Sequence, residues 1–236
     1  MHRALRLTID RAALQANWRW LADRAGVEAG AAVKADGYGV GVEETVAALA
    51  EAGCRTFFVS TWAEVDALGG VPDGCQLVVL HGVGRDDVPA ALGSSARPML
   101  NTLEQVARWR GIASDRPCDI MVDTGMNRLG LRPEDVGALD GVAIDTFHSH
   151  LACADEDNAM NARQLSAFQE IAGTVAARRA SLANSAGICL GRNYSFDLVR
   201  PGLALYGGVP RAEAEGHIRQ VARGEAQIIQ RRTIRV

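Results

Sequence analysis

The sequence predicts an α/β fold: a closed (β/α)8 TIM barrel, preceded by one N-terminal strand and followed by the start of a truncated β-domain. Three observations predict it. Short apolar or β-branched runs alternate with longer amphipathic segments, the pattern of parallel strands joined by helices. Eight such runs follow the opening strand, the number that closes a barrel. Polar residues gather just beyond the runs, at the end of a barrel that carries its chemistry. A doubly wound open sheet shares the local pattern and is the competing architecture.

The opening strand over 3–9 runs into Asp10, a good helix N-cap, and a helix to about residue 24. The first barrel strand covers 30–34 and ends at Lys34. Helix 43–52 follows, with Glu43 and Glu44 in the first turn, where the helix dipole favours acids. Further strands are predicted at 56–60, 76–80, 97–100, 118–122, 143–150, 180–183 and 197–200. Helices separate most of them, the clearest at 102–110, 133–139 and 157–179. After Gly208 the pattern changes, and Gln220 to Val236 reads as one or two strands with no helix between them. A lone strand exposes an unpaired edge. The expected division is therefore a barrel over 1–218 and the first strand or strands of a β-domain over 219–236.

A chain of 236 residues is normal for one such barrel and can bury a large core. Hydrophobic residues make up 48% and charged residues 22%, an ordinary balance for a globular protein. The net charge of −3 and scattered basic residues suggest neither nucleic acid nor a membrane surface as partner. No apolar run approaches the roughly 20 residues of a spanning helix. The first residues lack the apolar stretch of a secretion signal. Cys54, Cys75, Cys118, Cys153 and Cys189 are odd in number and never spaced as CxxC, so reduced thiols in a cytoplasmic protein are expected.

Lys34 closes the run Ala31-Ala32-Val33 and precedes Asp36-Gly37-Tyr38-Gly39-Val40-Gly41. Desolvation at the mouth of a buried strand disfavours an ammonium, which suits a lysine that bonds a carbonyl carbon. The glycines admit close backbone approach, and Tyr38 adds a hydroxyl. The segment alone equally fits a lysine that merely ends a strand before a turn. Other strand ends carry Trp62, His81, Asn101, Asp123, His150, Asn184, Ser185 and Arg200.

The segment Met121 to Gly130 leaves a strand and puts Asp123 and Arg128 in a loop at the barrel mouth. A guanidinium there suits a carboxylate or phenolate oxygen, or pairs with Asp123 at the surface. His148 and His150 share one face of a strand. They suit a metal pair, with His81 and Asp123 as further ligand candidates, or one imidazole against a planar cofactor, or plain interior histidines.

Two turns, Ser181 to Gly187 and Val199 to Leu203, can hold a phosphate through Ser185, backbone amides and a helix start. Each is also an ordinary capped turn. Arg200 needs an acceptor because it keeps its charge, and a pyridine nitrogen held unprotonated would serve.

Together these segments resemble the bacterial alanine racemases, pyridoxal-phosphate enzymes of fold type III. The resemblance rests on AVKADGYGVG (32–41), VDTGMNRLGL (122–131), SHLACADE (149–156), SLANSAG (181–187) and VRPGLALYG (199–207), with weaker RPMLNTLEQVARW (97–109). It implies pyridoxal 5'-phosphate as cofactor. Lys34 is then the lysine that bonds the cofactor and acts as one catalytic base. Tyr38, Asn184, Ser185, Gly202 and Leu203 serve the phosphate side, His150 the ring face, and Arg200 the ring nitrogen. Arg128 matches the arginine near the phenolic oxygen and the substrate carboxylate.

Two departures stand out. Where the family often carries a carbamylated lysine that positions the arginine, this chain has Met121. The family's second base, a tyrosine from a C-terminal β-domain reaching across a head-to-tail homodimer, has no match in these 236 residues. The expected activity of the parent enzyme is interconversion of L- and D-alanine, supplying D-alanine for peptidoglycan. The chain itself is expected to bind cofactor and lack the second base. The alternatives are a single-domain pyridoxal-phosphate carrier and a metal-dependent barrel hydrolase using His148 and His150.

Overall fold

The protein is described by a computed structural model covering residues 5–234. β1 (Leu5–Ile9) leads into a helix over Arg11–Ala25, whose first turn is capped by Asp10 accepting from the Ala13 amide at 2.9 Å. The barrel follows. β2 (Glu28–Ala29) and β3 (Ala31–Ala32) are one strand interrupted at Gly30. Then come β4 (Thr56–Val59), β5 (Gln76–Val79), β6 (Arg97–Leu100), β7 (Cys118–Met121), β8 (Ile144–His148), β9 (Ala177–Ser181) and β10 (Leu198–Val199). β3 through β9 form one parallel sheet in sequence order, and β10 pairs in parallel with β2. Backbone hydrogen bonds from Gly30 to Val199, Ala32 to Pro201 and Arg200 to Ala183, each 2.9 Å, close the ring. Counting β2 and β3 as one gives eight strands, and the closed barrel prevails over the open sheet.

The outside of the barrel packs on the helices through a large apolar core that includes Leu14, Leu21, Leu49, Trp109 and Phe168. Inside, Phe58, Val78, Met99, Met121 and Leu198 form a separate apolar layer. Beneath it lies a charged layer. Arg97 bonds Asp119 at 3.2 Å and also pairs with Asp145; Arg179 bonds Asp145 at 2.6 Å and Glu28 at 2.7 Å. The register of β7 on β8 slips between Cys118 and Ile120, so one extra β8 residue is accommodated. That bulge lets Asp145 and His148, an odd step apart, share the interior. Burial works against ionised Asp145, but hydrogen bonds from Arg179 and Thr146 with the charge of Arg97 hold its carboxyl well below the usual range.

Three sequence expectations are corrected. The strand predicted at 30–34 stops at Ala32, because the chain turns left-handed over Ala35 to Tyr38 just beyond it. The helix predicted to 179 covers Ala159–Ala172, ends at Gly173, and gives way to β9 at Ala177. Arg178 and Arg179 mimic an amphipathic helix end, yet they sit in a strand because Asp145 and Glu28 receive them. The segment Pro133–Leu139 is a 3-10 helix. Past the barrel, β11 (Ala222–Ala226) pairs antiparallel with β1, Ile9 opposite Ala222. Among the described residues no helix is long and apolar enough to cross a membrane.

Candidate active site

A cavity of about 660 Å³ opens at the C-terminal ends of the barrel strands. Lys34, Tyr38, Arg128, His150, Asn184, Ser185, Arg200, Gly202 and Leu203, the nine residues that the resemblance ties to cofactor or substrate, line it. His81 and Asn101 line it too. Trp62 does not; it is buried with its indole N–H on the Gly82 carbonyl at 2.7 Å.

Lys34 starts a turn of unusual hand. Ala35, Asp36, Gly37 and Tyr38 all have φ between 53° and 61°, one full turn of left-handed helix in which only one residue is glycine. L-residues resist this conformation, so neighbours must hold it. The Gly37 amide bonds Val33 O at 2.9 Å, and the Asp36 carboxylate accepts the Val42 amide at 2.8 Å. Glu64, N3 of the helix Trp62–Leu68, accepts the Ala35 amide at 2.7 Å while closing a capping box with Thr61. The turn carries Lys34, half-buried, and Tyr38 to one rim of the cavity.

Arg128 rides on a tight loop. Asp123 accepts the Gly125 and Met126 amides at 2.8 Å each, and the Asp123 and Leu131 amides pin both ends back to the strand. A Cβ on Gly130 would lie 2.7 Å from the Asp123 nitrogen, so only glycine fits at its φ of 126°. Asp123 is thus spent on the loop and makes no pair with Arg128. Met121 packs with Phe58, Val78 and Met99 and offers the arginine no polar support. The loop is tied sideways instead: Thr124 Oγ lies 2.7 Å from Ser149 Oγ.

The two histidines part company. His150 faces the cavity, whereas His148 is fully buried beneath it. His148 Nε2 lies 2.9 Å from Asp119 and Nδ1 3.1 Å from Arg200 Nη1. Both ring nitrogens are occupied, so the pair is not a metal-ligand pair. Arg200 is also buried, at 6% exposure. Its Nη1 and Nη2 donate to His148, to Ser181 Oγ at 2.5 Å and to Ser149 O at 2.5 Å. These acceptors are neutral, and Nε remains as the donor for the cavity.

The adjoining rim is built from two turns, one at Asn184 and Ser185 and one at Gly202 and Leu203. Asn184 caps the helix Ser185–Leu190 by accepting from Gly187 N at 2.9 Å. Ser185 Oγ accepts the Gly202 and Ala204 amides at 2.9 and 3.2 Å. A Cβ on Gly202 would overlap the Tyr38 hydroxyl, so close approach there requires glycine. Tyr38 stacks on Tyr206 with centroids 4.5 Å apart, and the Tyr206 hydroxyl donates to Ala32 O at 2.9 Å.

The cavity is strongly cationic. Burial and the charges of Arg200, Arg128 and Lys34 push His150 down to about 3, so it is neutral near pH 7. Burial lowers Arg200 to about 10, which leaves it charged, with Asp119 beyond His148 as its countercharge. Three cations around a neutral imidazole, with Tyr38 and Ser185 beside them, fit a planar anionic ligand. Three supporting residues went unrecognised in the sequence. Glu64 and Tyr206 hold the Lys34 turn. Gln164 binds Ala152 N and His150 O, at 2.8 and 2.9 Å, and Thr124. Only the Thr61-x-x-Glu64 capping spacing offered a signal.

Fold and site together define an α/β-barrel protein with a cavity at its strand ends that holds a lysine and two arginines. The family model for the alanine racemase N-terminal domain matches residues 9–210. The alanine racemase of Methylobacterium nodulans is 42% identical over 241 residues, covering 97% of this chain and 65% of that protein. That of Rhizobium meliloti is also 42% identical, covering 97% and 64%. The crystal structure of alanine racemase from Bartonella henselae with covalently bound pyridoxal phosphate superposes with a TM-score of 0.90 at 34% identity, covering 97% of this chain and 68% of that one. The Acinetobacter baumannii enzyme gives 0.87 at 28% identity, with coverage of 97% and 68%. The chain belongs to the alanine racemase N-terminal domain family. It spans just under two thirds of the length of these first two relatives.

Proposed function

We propose that this chain is the cofactor-binding barrel of an alanine racemase and that its cavity takes pyridoxal 5'-phosphate. The observation that carries this is the charge pattern: Lys34, Arg128 and Arg200 surround a neutral His150, and Arg200 donates only to neutral acceptors. A pyridoxal ring would offer its phenolate to Arg128 and an unprotonated ring nitrogen to Arg200, with its aldehyde toward Lys34 and its face toward His150. When bound, the group supplies an electron sink that acidifies the α-C–H of an amino acid. Lys34 would hold the group at its aldehyde carbon, and its free amine would carry a proton to or from the substrate α-carbon on one face. Arg200 Nε would donate to the ring nitrogen and, staying charged, would leave it unprotonated. His150 packs on the ring face, and Arg128 receives the substrate carboxylate. Tyr38, Ser185 and the amides near Gly202 and Leu203 hold the phosphate, with Asn184 fixing the helix start behind them.

The substrate is alanine, and the product D-alanine serves peptidoglycan synthesis. We assign residues 1–218 to the barrel and 219–236 to the start of a β unit; β11, which lies outside the barrel sheet and takes β1 as its partner, supports a β unit there while tying it to the N-terminal strand. A head-to-tail homodimer would cover the apolar rim of Leu129, Leu203 and Val209, each 46–52% exposed. A cytoplasmic site agrees with five free cysteines.

Adding pyridoxal phosphate should produce an absorbance band near about 420 nm, typical of this cofactor joined to lysine, that Lys34→Ala abolishes. Absence of the band in the unaltered protein overturns the cofactor assignment.

A further inference from the structure

His148 has no part in the chemistry above, yet its position is tightly determined. It is fully buried on β8, flanked edge-on by Phe58 at 6.1 Å, with Asp119 on one nitrogen and Arg200 on the other. Arginine can only donate, so Nδ1 facing Arg200 Nη1 must present a lone pair. The single ring proton then sits on Nε2 and is donated to Asp119 Oδ2. A cationic imidazole would aim N–H at N–H, and burial holds the ring neutral, its pKa lowered to about 4 against the pull of Asp119. Asp119 is itself fixed from below by Arg97.

We propose that His148 is a positioning residue for Arg200: a neutral, Nε2-protonated imidazole that ties Nη1 of the guanidinium to the Asp119–Arg97 pair and so leaves Nε facing the cavity. A carboxylate in direct contact would take two guanidinium N–H groups in a fork and turn that edge inward. The imidazole takes one and keeps the countercharge a ring away. The proposal rests on the assignment of Arg200 to the cofactor ring nitrogen only for its consequence, since the contacts belong to the protein alone.

The discriminating pair of variants is His148→Gln, whose amide offers both an N–H donor group and an oxygen acceptor, and His148→Leu, which offers neither. In the cofactor-free protein, ¹⁵N spectra of the imidazole should show His148 neutral and protonated at Nε2 across about pH 6–8. The Arg200 Nε–H resonance should be sharp in the unaltered protein and in His148→Gln, and broadened in His148→Leu. A cationic or Nδ1-protonated His148, or an unchanged Arg200 resonance in His148→Leu, overturns the proposal. In an absorbance titration with pyridoxal phosphate, His148→Leu should bind about tenfold more weakly with a shifted maximum, the loss of one charge-assisted hydrogen bond. His148→Gln should stay within about threefold of the unaltered protein. Equal affinity and spectrum in both variants, or a folded His148→Gln as weak as His148→Leu, means the ring serves packing alone. Should His148→Leu not fold, the Gln variant and the unaltered spectra still decide. If the unaltered protein binds no cofactor, the cofactor assignment falls, while the cofactor-free spectra continue to test His148.

Discussion

Glu64→Ala tests what holds the Lys34 turn. Ala35, Asp36 and Tyr38 occupy left-handed space at about 1–2 kcal/mol each, so roughly 3–6 kcal/mol opposes the turn. Against this stand the Gly37–Val33 and Gly41–Asp36 backbone bonds, the Asp36 side chain on Val42, and Glu64 on the Ala35 amide at 2.7 Å. The substitution removes the last of these, a charged acceptor worth about 1.5–3 kcal/mol. It also removes half of a capping box, about 1 kcal/mol. Glu64 is half-buried and water recovers part of the loss, so the net cost is about 2–3 kcal/mol. At a urea slope of about 2–3 kcal/mol/M the midpoint should fall by about 1 M. Pyridoxal phosphate affinity should drop about tenfold as the turn relaxes and Lys34 loses its fixed origin. Thr61→Ala supplies the comparison: it breaks the same cap, for about 1 kcal/mol, but leaves the Ala35 bond in place. Cofactor affinity should then be unchanged. If Glu64→Ala costs no more than Thr61→Ala and binds cofactor as well, Glu64 does not hold the turn.

Ala35→Gly relieves about 1–2 kcal/mol of left-handed strain and forfeits about 0.5–1 kcal/mol of chain entropy, so the urea midpoint should rise slightly; a fall would show the turn is unstrained. Gln164→Leu leaves Ala152 N, His150 O and Thr124 without their partner and should destabilise by about 2–4 kcal/mol, read by urea unfolding. Stability should also fall with acidification. His148 in the unfolded chain takes a proton near pH 6.5, whereas in the folded protein it refuses one until about pH 4. The unfolded state therefore binds more protons across that window, and stability declines as pH drops through it, by about 2 kcal/mol between pH 7 and 5. His148→Gln should flatten that part of the profile, and equal slopes in both proteins would refute it.

The barrel was legible because its strands are short apolar runs, and apolar periodicity is a local signal. The site was legible for a related reason: strand ends converge in a barrel, so Lys34, His150 and Arg200 meet although far apart in sequence. Other features left no local trace. Nothing in Ala35-Asp36-Gly37-Tyr38 announces a left-handed turn, since two of its non-glycine members have no preference for that hand. Arg178 and Arg179 read as a helix end because their partners, Asp145 and Glu28, lie 33 and 151 residues away. His148 and His150 looked equivalent by alternation, and only Asp119 and Arg200 set their roles apart. The opening strand was anticipated, but its pairing with β11 is a long-range fact that no window of sequence contains.

That pairing sets a timetable for synthesis. Among the described residues β1 pairs with no strand but β11, Asp10 donates its amide to Val221 at 2.7 Å, and Asn17 bonds Leu205 and Arg219. At about 5–20 residues per second, some 10–40 seconds separate the emergence of β1 from that of β11. Throughout that interval Leu5 and Leu7 lack their partner strand, and β2 waits almost as long for β10. The nascent chain must therefore carry its first strand as an unsatisfied edge until nearly all of the barrel has left the ribosome, a standing invitation to chaperones and to misassembly between neighbouring chains.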